Sequence, residues 1–235
     1  MKVTVDQAFW DLFPTARITV MSLYGIDNTV DEAKDPYFKE LLDKGAKRAW
    51  EFIDEENYTQ SEFVQEWRQA FSKFKTKKGA RSSIEALLKR VHQGREFYPI
   101  NPLVDLYNSV SMSYALPCGG EDMDKLVGGL SLGQAKGGEP FFPLGAEEDA
   151  PALEGEIIYY DQEGAVCRCL NWREAQRTML TEDTKDAILV IEAINEEQAQ
   201  RAQTAMQELK DLAKDYFGVE GTIYQLSAEH ASIEV

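Results

Sequence analysis

Histidine is almost missing from this 235-residue chain: His92 and His230 are the only two, and no spacing brings them together as a metal pair. Cysteine is as scarce. Cys118, Cys167 and Cys169 form an odd set, which excludes a closed disulfide framework. The spacing Cys167-x-Cys169 fits no common zinc motif, and if the segment is one strand both thiols point to the same face. The thiols therefore read as structural, and neither a metal nor any other cofactor is expected. No apolar run approaches the roughly 20 residues that span a bilayer. The opening MKVTVDQAFWDLF lacks the uninterrupted apolar segment of a secretory signal. A cytoplasmic location with no membrane partner is the expectation. None of the 16 glycines sits in a Gly-Lys-Ser/Thr phosphate loop or a strand–GxGxxG–helix order, so nucleotide chemistry of those kinds is excluded.

Positive charge is also short, with 25 basic against 41 acidic residues and a net charge of −16. A chain this acidic is a poor general nucleic-acid binder, and DNA is not expected as a partner. The distribution qualifies the sum. Lys73, Lys75, Lys77, Lys78, Arg81, Lys89, Arg90 and Arg95 share a window with one acidic residue, Glu85, so Lys73–Arg95 carries +7 and the remainder −23. That window reads either as a basic landing surface or as a solvated loop and helix face.

What the chain does have is apolar periodicity, and its most informative stretch is residues 99–126. Asn101-Pro102 is a helix start, with Asn as cap and Pro at the first helical position. Leu103, Tyr107, Val110 and Tyr114 then recur at the spacing of a buried stripe, while Asn101, Asp105 and Asn108 align polar groups on another face. Leu116-Pro117 stops the helix, and Gly119-Gly120 allows a sharp turn or a close approach to a ligand. Such a helix is a candidate wall for a pocket.

Before it, helices are expected over Asp35–Phe52, over Ser61–Phe74 with Ser61 as cap, and from the capping box Ser82-Ser-Ile-Glu85 to Gly94. A strand is expected over Arg17–Tyr24. Beyond Leu126, glycine-punctuated runs (LSLGQA, PFFPL, EIIYYD, AVCRCL) predict short, mostly antiparallel strands. A strand at Ile188–Ile194, a helix capped by Asn195 and stopped by Gly218, and a last strand GTIYQLS complete the order, with a loose tail from Ala228. No linker divides the chain, so residues 1–97 are expected to dock on the remaining residues within a single domain of residues 1–235.

A second polar concentration, NWREAQRTMLTEDT (171–184), lies between the strand AVCRCL and the apolar AILVIEAI. Loops at strand ends carry function disproportionately. Asn171, Arg173, Glu174, Arg177 and Thr178 offer donors, acceptors and positive charge together, and Trp172 is out of place in a purely solvated turn.

Asn101-Pro-Leu-Val-Asp105-Leu-Tyr-Asn108, with Leu116-Pro117 and Asp122-x-Asp124-Lys125-Leu126, resembles the B3/B4 domain of bacterial phenylalanyl-tRNA synthetase β subunits. The likeness continues loosely through Gly138-Glu139, Leu144-Gly145 and the segment before AILVIEA, covering roughly residues 83–193. The front helices and the lack of a synthetase catalytic sequence point to a free-standing relative. The resemblance implies an α+β fold with a β-sandwich-like core, flanked by N-terminal helices and a C-terminal strand–helix–strand. It also implies an editing role, hydrolysis of tRNA carrying the wrong amino acid without a metal, as a second sieve where synthesis cannot reject a near-isostere. This chain has Cys118-Gly119-Gly120-Glu121-Asp122 where the synthetase pattern carries His-Ala-Phe-Asp.

On this reading the partner is tRNA or aminoacyl-tRNA. Asn108, Asn171 and Glu174 are the candidate catalytic residues. Asn101, Asp105, Gly119, Gly120, Trp172, Arg173, Arg177 and Thr178 are the candidate substrate contacts, and the eight basic residues of the 73–95 window hold the tRNA. The alternatives are a non-catalytic tRNA- or amino-acid-binding module and a hydrolase of some unrelated small ester or amide.

Overall fold

The computed structural model describes residues 1–235. The chain opens with β1 (Lys2–Val5), α1 (Gln7–Leu12) and β2 (Arg17–Leu23). Four helices follow: α2 (Asp35–Ala49), α3 (Glu62–Phe71), α4 (Ser83–His92) and α5 (Pro102–Tyr114). Then come β3 (Cys118–Asp122), β4 (Leu130–Gln134), β5 (Ile157–Tyr160), β6 (Ala165–Arg168), β7 (Arg173–Glu174) and β8 (Ala187–Ala193). The chain closes with α6 (Glu196–Phe217), β9 (Thr222–Leu226) and β10 (Ser232–Glu234). The fold is α+β, as the resemblance implied.

Two sheets carry it, one ordered β10-β1-β4-β5-β6-β7 and the other β3-β8-β2-β9. Only β1 and β4 pair in parallel; every other ladder is antiparallel. The sheets share one apolar core, in which Ile18, Val20, Ile188 and Val190 meet Leu130, Leu132, Tyr159 and Val166. This is the sandwich-like packing of two inner faces. The outer face of the smaller sheet, through Met21, Leu23, Leu189 and Ile191, packs on α5 and α6. Covered on both sides, β8 is buried at all seven positions, which is why AILVIEA reads as a continuous run instead of an alternation.

Helix α5 owes its position to close approach and to its entry. Gly45 of α2 lies so near that an added Cβ would stand 2.6 Å from the Ser109 carbonyl oxygen. At its start, Asn101 Oδ1 accepts from the Val104 amide at 3.1 Å and from Asn28 Nδ2 at 3.1 Å, and the Leu103 amide donates to Asn28 Oδ1 at 2.9 Å. Both Asp105 oxygens accept from the Ile100 amide, at 3.0 and 3.1 Å. The Asn101→Ala protein should lose about 1–2 kcal/mol in urea unfolding, the cost of a cap plus one of the two Asn28 Nδ2 hydrogen bonds, the other being kept by the Thr181 carbonyl. An unchanged midpoint would refute that reading of the entry.

Several local expectations give way to long-range partners. Gly119-Gly120 is no turn but the middle of β3, drawn into register by β8, with Gly119 opposite Val190. The capping box does not close: Ser82 makes no cap bond, and buried Glu85 instead takes Arg68 Nη2 at 2.7 Å, a stronger charge-assisted partner. Ser61 does not cap α3 either; its hydroxyl accepts from the Asp54 amide at 2.8 Å. PFFPL forms only an isolated bridge at Pro143. The tail is not loose, because β10 covers the free edge of β1 in register Lys2↔Glu234.

Candidate functional site

Strand alternation turns Val190 and Glu192 of β8 toward the larger sheet, together with Gly119 and Glu121 of β3. On that sheet Tyr159, Cys167 and Glu174 stand in one row, Tyr159 paired with Cys167 and Cys167 with Glu174. Here the sandwich does not close. Gly119 has no side chain to meet the row, and a cavity of about 270 Å³ opens between the sheets at their β3 and β7 edges. Val190, Leu130 and Leu144 give it apolar walls, Glu121, Glu174 and Glu192 line it with carboxyl groups, and Ser83, Asn171, Trp172 and Arg173 complete the lining.

Asn171 reaches the cavity through an unusual turn. After β6 the consecutive residues Cys169 (φ 48°) and Leu170 (φ 63°) are both left-handed, a conformation that costs non-glycine residues on the order of 1 kcal/mol each. Complete burial of both side chains and a 2.6 Å bond from the Leu170 amide to the Ile157 carbonyl hold the turn. Just before it, Arg168 is pinned inside by Glu156, Nε to Oε2 at 2.7 Å. The Ser83 amide donates to Asn171 Oδ1 at 3.3 Å, while the buried Asn171 Nδ2 completes no hydrogen bond but lies close enough to Glu192 to lower that carboxyl's pKa. The same turn separates the two thiols expected to share a face: Cys167 lines the cavity and Cys169 lies in the apolar core. Burial raises Cys118 and Cys167 well above the ordinary thiol range and Cys169 to about 12, so none is a ready nucleophile.

The carboxyl groups are poised differently. Glu192 Oε1 accepts the Tyr159 hydroxyl at 3.0 Å, while its Oε2 and Glu121 Oε2 are buried without a partner. Burial pushes Glu174 up to about 7. Burial, with the charge of Glu174 adding to it, also raises Glu192 to about 7. Glu121 is driven well above the usual carboxylate range by burial and then by Glu174, so Glu121 holds its proton while Glu174 titrates near neutrality. Two carboxyl groups pushed apart in this way are the arrangement that acid–base chemistry uses.

Of the residues singled out from sequence, Gly119, Gly120, Asn171, Trp172, Arg173 and Glu174 come together around this cavity. The α5 row does not. Asn101 and Asp105 are spent on the helix entry, and Asn108, half-buried on α5, is absent from the lining. Arg177 is committed to Asp161 at 2.7 and 2.8 Å, and the buried Thr178 hydroxyl partly opposes the rise in the Glu121 pKa.

None of the eight basic residues of the 73–95 window forms a salt bridge. Lys73 lies over the Phe13 ring and Arg90 over Phe97, and Lys75, Lys77, Lys78 and Arg95 are exposed. This segment runs directly into Ser83 of the cavity lining. Glu121, Glu192, Tyr159 and Cys118 join the site without having been expected there. The one signal for them is a lone carboxylate inside the apolar run AILVIEA.

A model of the B3/4 domain matches residues 66–221, a wider span than the sequence likeness suggested. No curated protein sequence matches the chain. Among solved structures, an N-terminal fragment of the phenylalanyl-tRNA synthetase β-subunit from Pyrococcus horikoshii aligns over 95% of this chain and 53% of its own length, at 13% identity and a TM-score of 0.47. The chain thus spans about half of that fragment. With more than half of its residues inside the family model, the protein belongs to the B3/4 domain family.

Proposed function

We propose that the protein hydrolyses mischarged aminoacyl-tRNA, with the aminoacyl group held in the cavity between the sheets. The observation that carries this reading is a carboxyl group of pKa about 7, Glu174, in the same cavity as an Asn171 amide that completes no hydrogen bond of its own. Near neutral pH a large share of Glu174 is ionised and can take a proton from a water attacking the ester carbonyl. Asn171 Nδ2 donates to the carbonyl oxygen as negative charge gathers on it. Glu174 then returns the proton to the departing ribose oxygen, releasing free amino acid and tRNA. Trp172 offers a stacking face for the terminal base, with the Arg173 guanidinium 5.4 Å from its ring centre and placed for phosphate. The unpaired cations of the 73–95 window would follow the tRNA backbone, with the rest of the acidic surface repelling it elsewhere.

The test is the purified protein against a panel of mischarged aminoacyl-tRNAs. Deacylation is expected to fall by about 100-fold in Glu174→Gln, the usual worth of a general base. No hydrolysis above that variant would end the catalytic reading. The triple variant Lys75→Glu, Lys77→Glu, Lys78→Glu should weaken tRNA binding and flatten its salt dependence. Salt-sensitive tRNA binding without turnover would instead identify a binding module.

A further inference from the structure

The cavity's two acidic ends are set apart along one strand. Glu121 sits opposite Ile188 in the β3–β8 ladder, and Glu192 lies four residues farther along β8, roughly 13 Å at the usual strand rise. Between them the shared face presents Val190 and the bare backbone of Gly119. Each end keeps a buried carboxyl oxygen, Oε2 of Glu121 and Oε2 of Glu192, that completes no hydrogen bond, the donors beside them being the neutral side chains of Thr178 and Asn171. Glu121 is 6% and Glu192 3% exposed, so water at the surface does not serve them. No salt bridge reaches Glu121, Glu174 or Glu192, since Arg177 is taken by Asp161 and Asp122 takes Lys125. The acidic groups also do not converge into a cluster able to hold a metal ion. The lining's one cation, Arg173, lies over the Trp172 ring and bridges to none of the three carboxyl groups, so each acidic end, with an apolar strip between them, lacks a charged donor.

We propose, resting on the deacylase reading of this cavity, that its ligand is an aliphatic chain with an amino group at each end: an α-amino acid whose side chain ends in a primary amine. One ammonium lies between Glu121 and Glu174, and the other meets Glu192 Oε2 beside the Tyr159 hydroxyl. The methylenes run along Val190 in the space that Gly119 leaves open. The same chemistry occurs in a lysine- or ornithine-type aminoacyl ester on tRNA and in a free diamine. An ammonium at either end offsets the burial that raises these carboxyl groups. An uncharged side chain of equal length leaves one buried oxygen unpaired, which is the basis of strong discrimination against it.

The experiment is calorimetric titration of the intact protein at pH 8 with L-lysinamide, L-norleucinamide, L-tyrosinamide and 1,5-diaminopentane. Lysinamide is expected to bind at least tenfold tighter than norleucinamide, which has the same carbon chain but lacks the terminal amine. Glu192→Gln should remove that preference, bringing lysinamide and norleucinamide to within about twofold of each other, its folding confirmed by thermal melting. Equal or tighter binding of norleucinamide or tyrosinamide, or a preference that survives Glu192→Gln, overturns the proposal. Diaminopentane binding as tightly as lysinamide assigns the site to free diamines and overturns the aminoacyl form. A parallel assay with lysyl and tyrosyl esters on noncognate tRNA separates the two readings. Hydrolysis of the tyrosyl ester alone keeps the deacylase and overturns the diamine ligand; lysinamide preference with no hydrolysis of either does the reverse.

Discussion

Gly119→Val is expected to abolish ligand binding, at least 100-fold, in a protein that melts within a few degrees of the native one. Gly119 is not left-handed, so its backbone suits any residue. A Cβ there would meet only Glu174 Oε1, at 3.5 Å, an ordinary contact. Valine suits a strand, and its methyls would occupy the space opposite Val190 that forms the cavity. The neighbouring glycine makes the opposite prediction. A Cβ on Gly120 would fall 2.4 Å from Leu189 Cδ2 and 3.1 Å from Leu180 Cδ1, in the packed layer beneath α5 and α6. Gly120→Ala should therefore lose about 1–3 kcal/mol by overpacking, while the protein that remains folded still binds. Thermal melts and ligand titrations of the two variants decide the matter. Full binding by Gly119→Val, or its unfolding, would remove the geometric account of the cavity.

Glu192→Gln should stabilise the protein by about 2–3 kcal/mol at pH 8 and leave it unchanged near pH 4, since a tenfold change in proton affinity on folding corresponds to about 1.4 kcal/mol. The folded-state pKa of Glu192 is about 7, raised from 4.5. A group raised on folding favours the folded state fully below its unfolded value, and that advantage is lost as pH climbs to the folded value. Glutamine keeps an oxygen for the Tyr159 hydroxyl and has no charge to bury. The groups around Glu192, Tyr159 on β5, Cys167 on β6, Asn171 in the turn after it, Glu174 on β7 and Cys118 on β3, include donors that oppose the rise but no cation that could reverse the sign. Glu174 at about 7 and Asp105 at about 7 act in the same direction, so the native protein itself should lose stability as pH rises from the ordinary carboxylate range toward 7. Urea unfolding at several pH values tests this. A Glu192→Gln effect of equal size at both ends of the pH range would show that it arises from packing and not from charge.

The helices are legible in the sequence because their information is local. The stripe of α5, its Asn101-Pro102 start and the Gly218 stop of α6 lie there as spacing and cap residues. The apolar run of β8 likewise announces a strand buried on both faces. The cavity is only half legible for the opposite reason. Asn171 to Glu174 stand out as polar residues after a strand, but Glu121 and Glu192 share a face only through the β3–β8 register, which joins segments distant in the chain. Asn101 reads as a pocket residue because the partner that occupies it, Asn28, is 73 positions away. A polar row on a helix says that something binds there, and sequence spacing cannot say whether that something belongs to the same chain.

The pairing of β10 with β1 has a practical consequence. The Met1 ammonium donates to the Val235 carbonyl at 2.6 Å and the Val235 amide to the Met1 carbonyl at 2.9 Å, so the two ends of the chain lie side by side. They do so at the β10 edge of the larger sheet, with the cavity at the β7 edge. A tag, tether or fused domain on either end would leave the molecule from the side away from the cavity. A short bridge from residue 235 to residue 1 would turn β10 and β1 into a hairpin, so the chain could be circularly permuted and cut open elsewhere without disturbing the site.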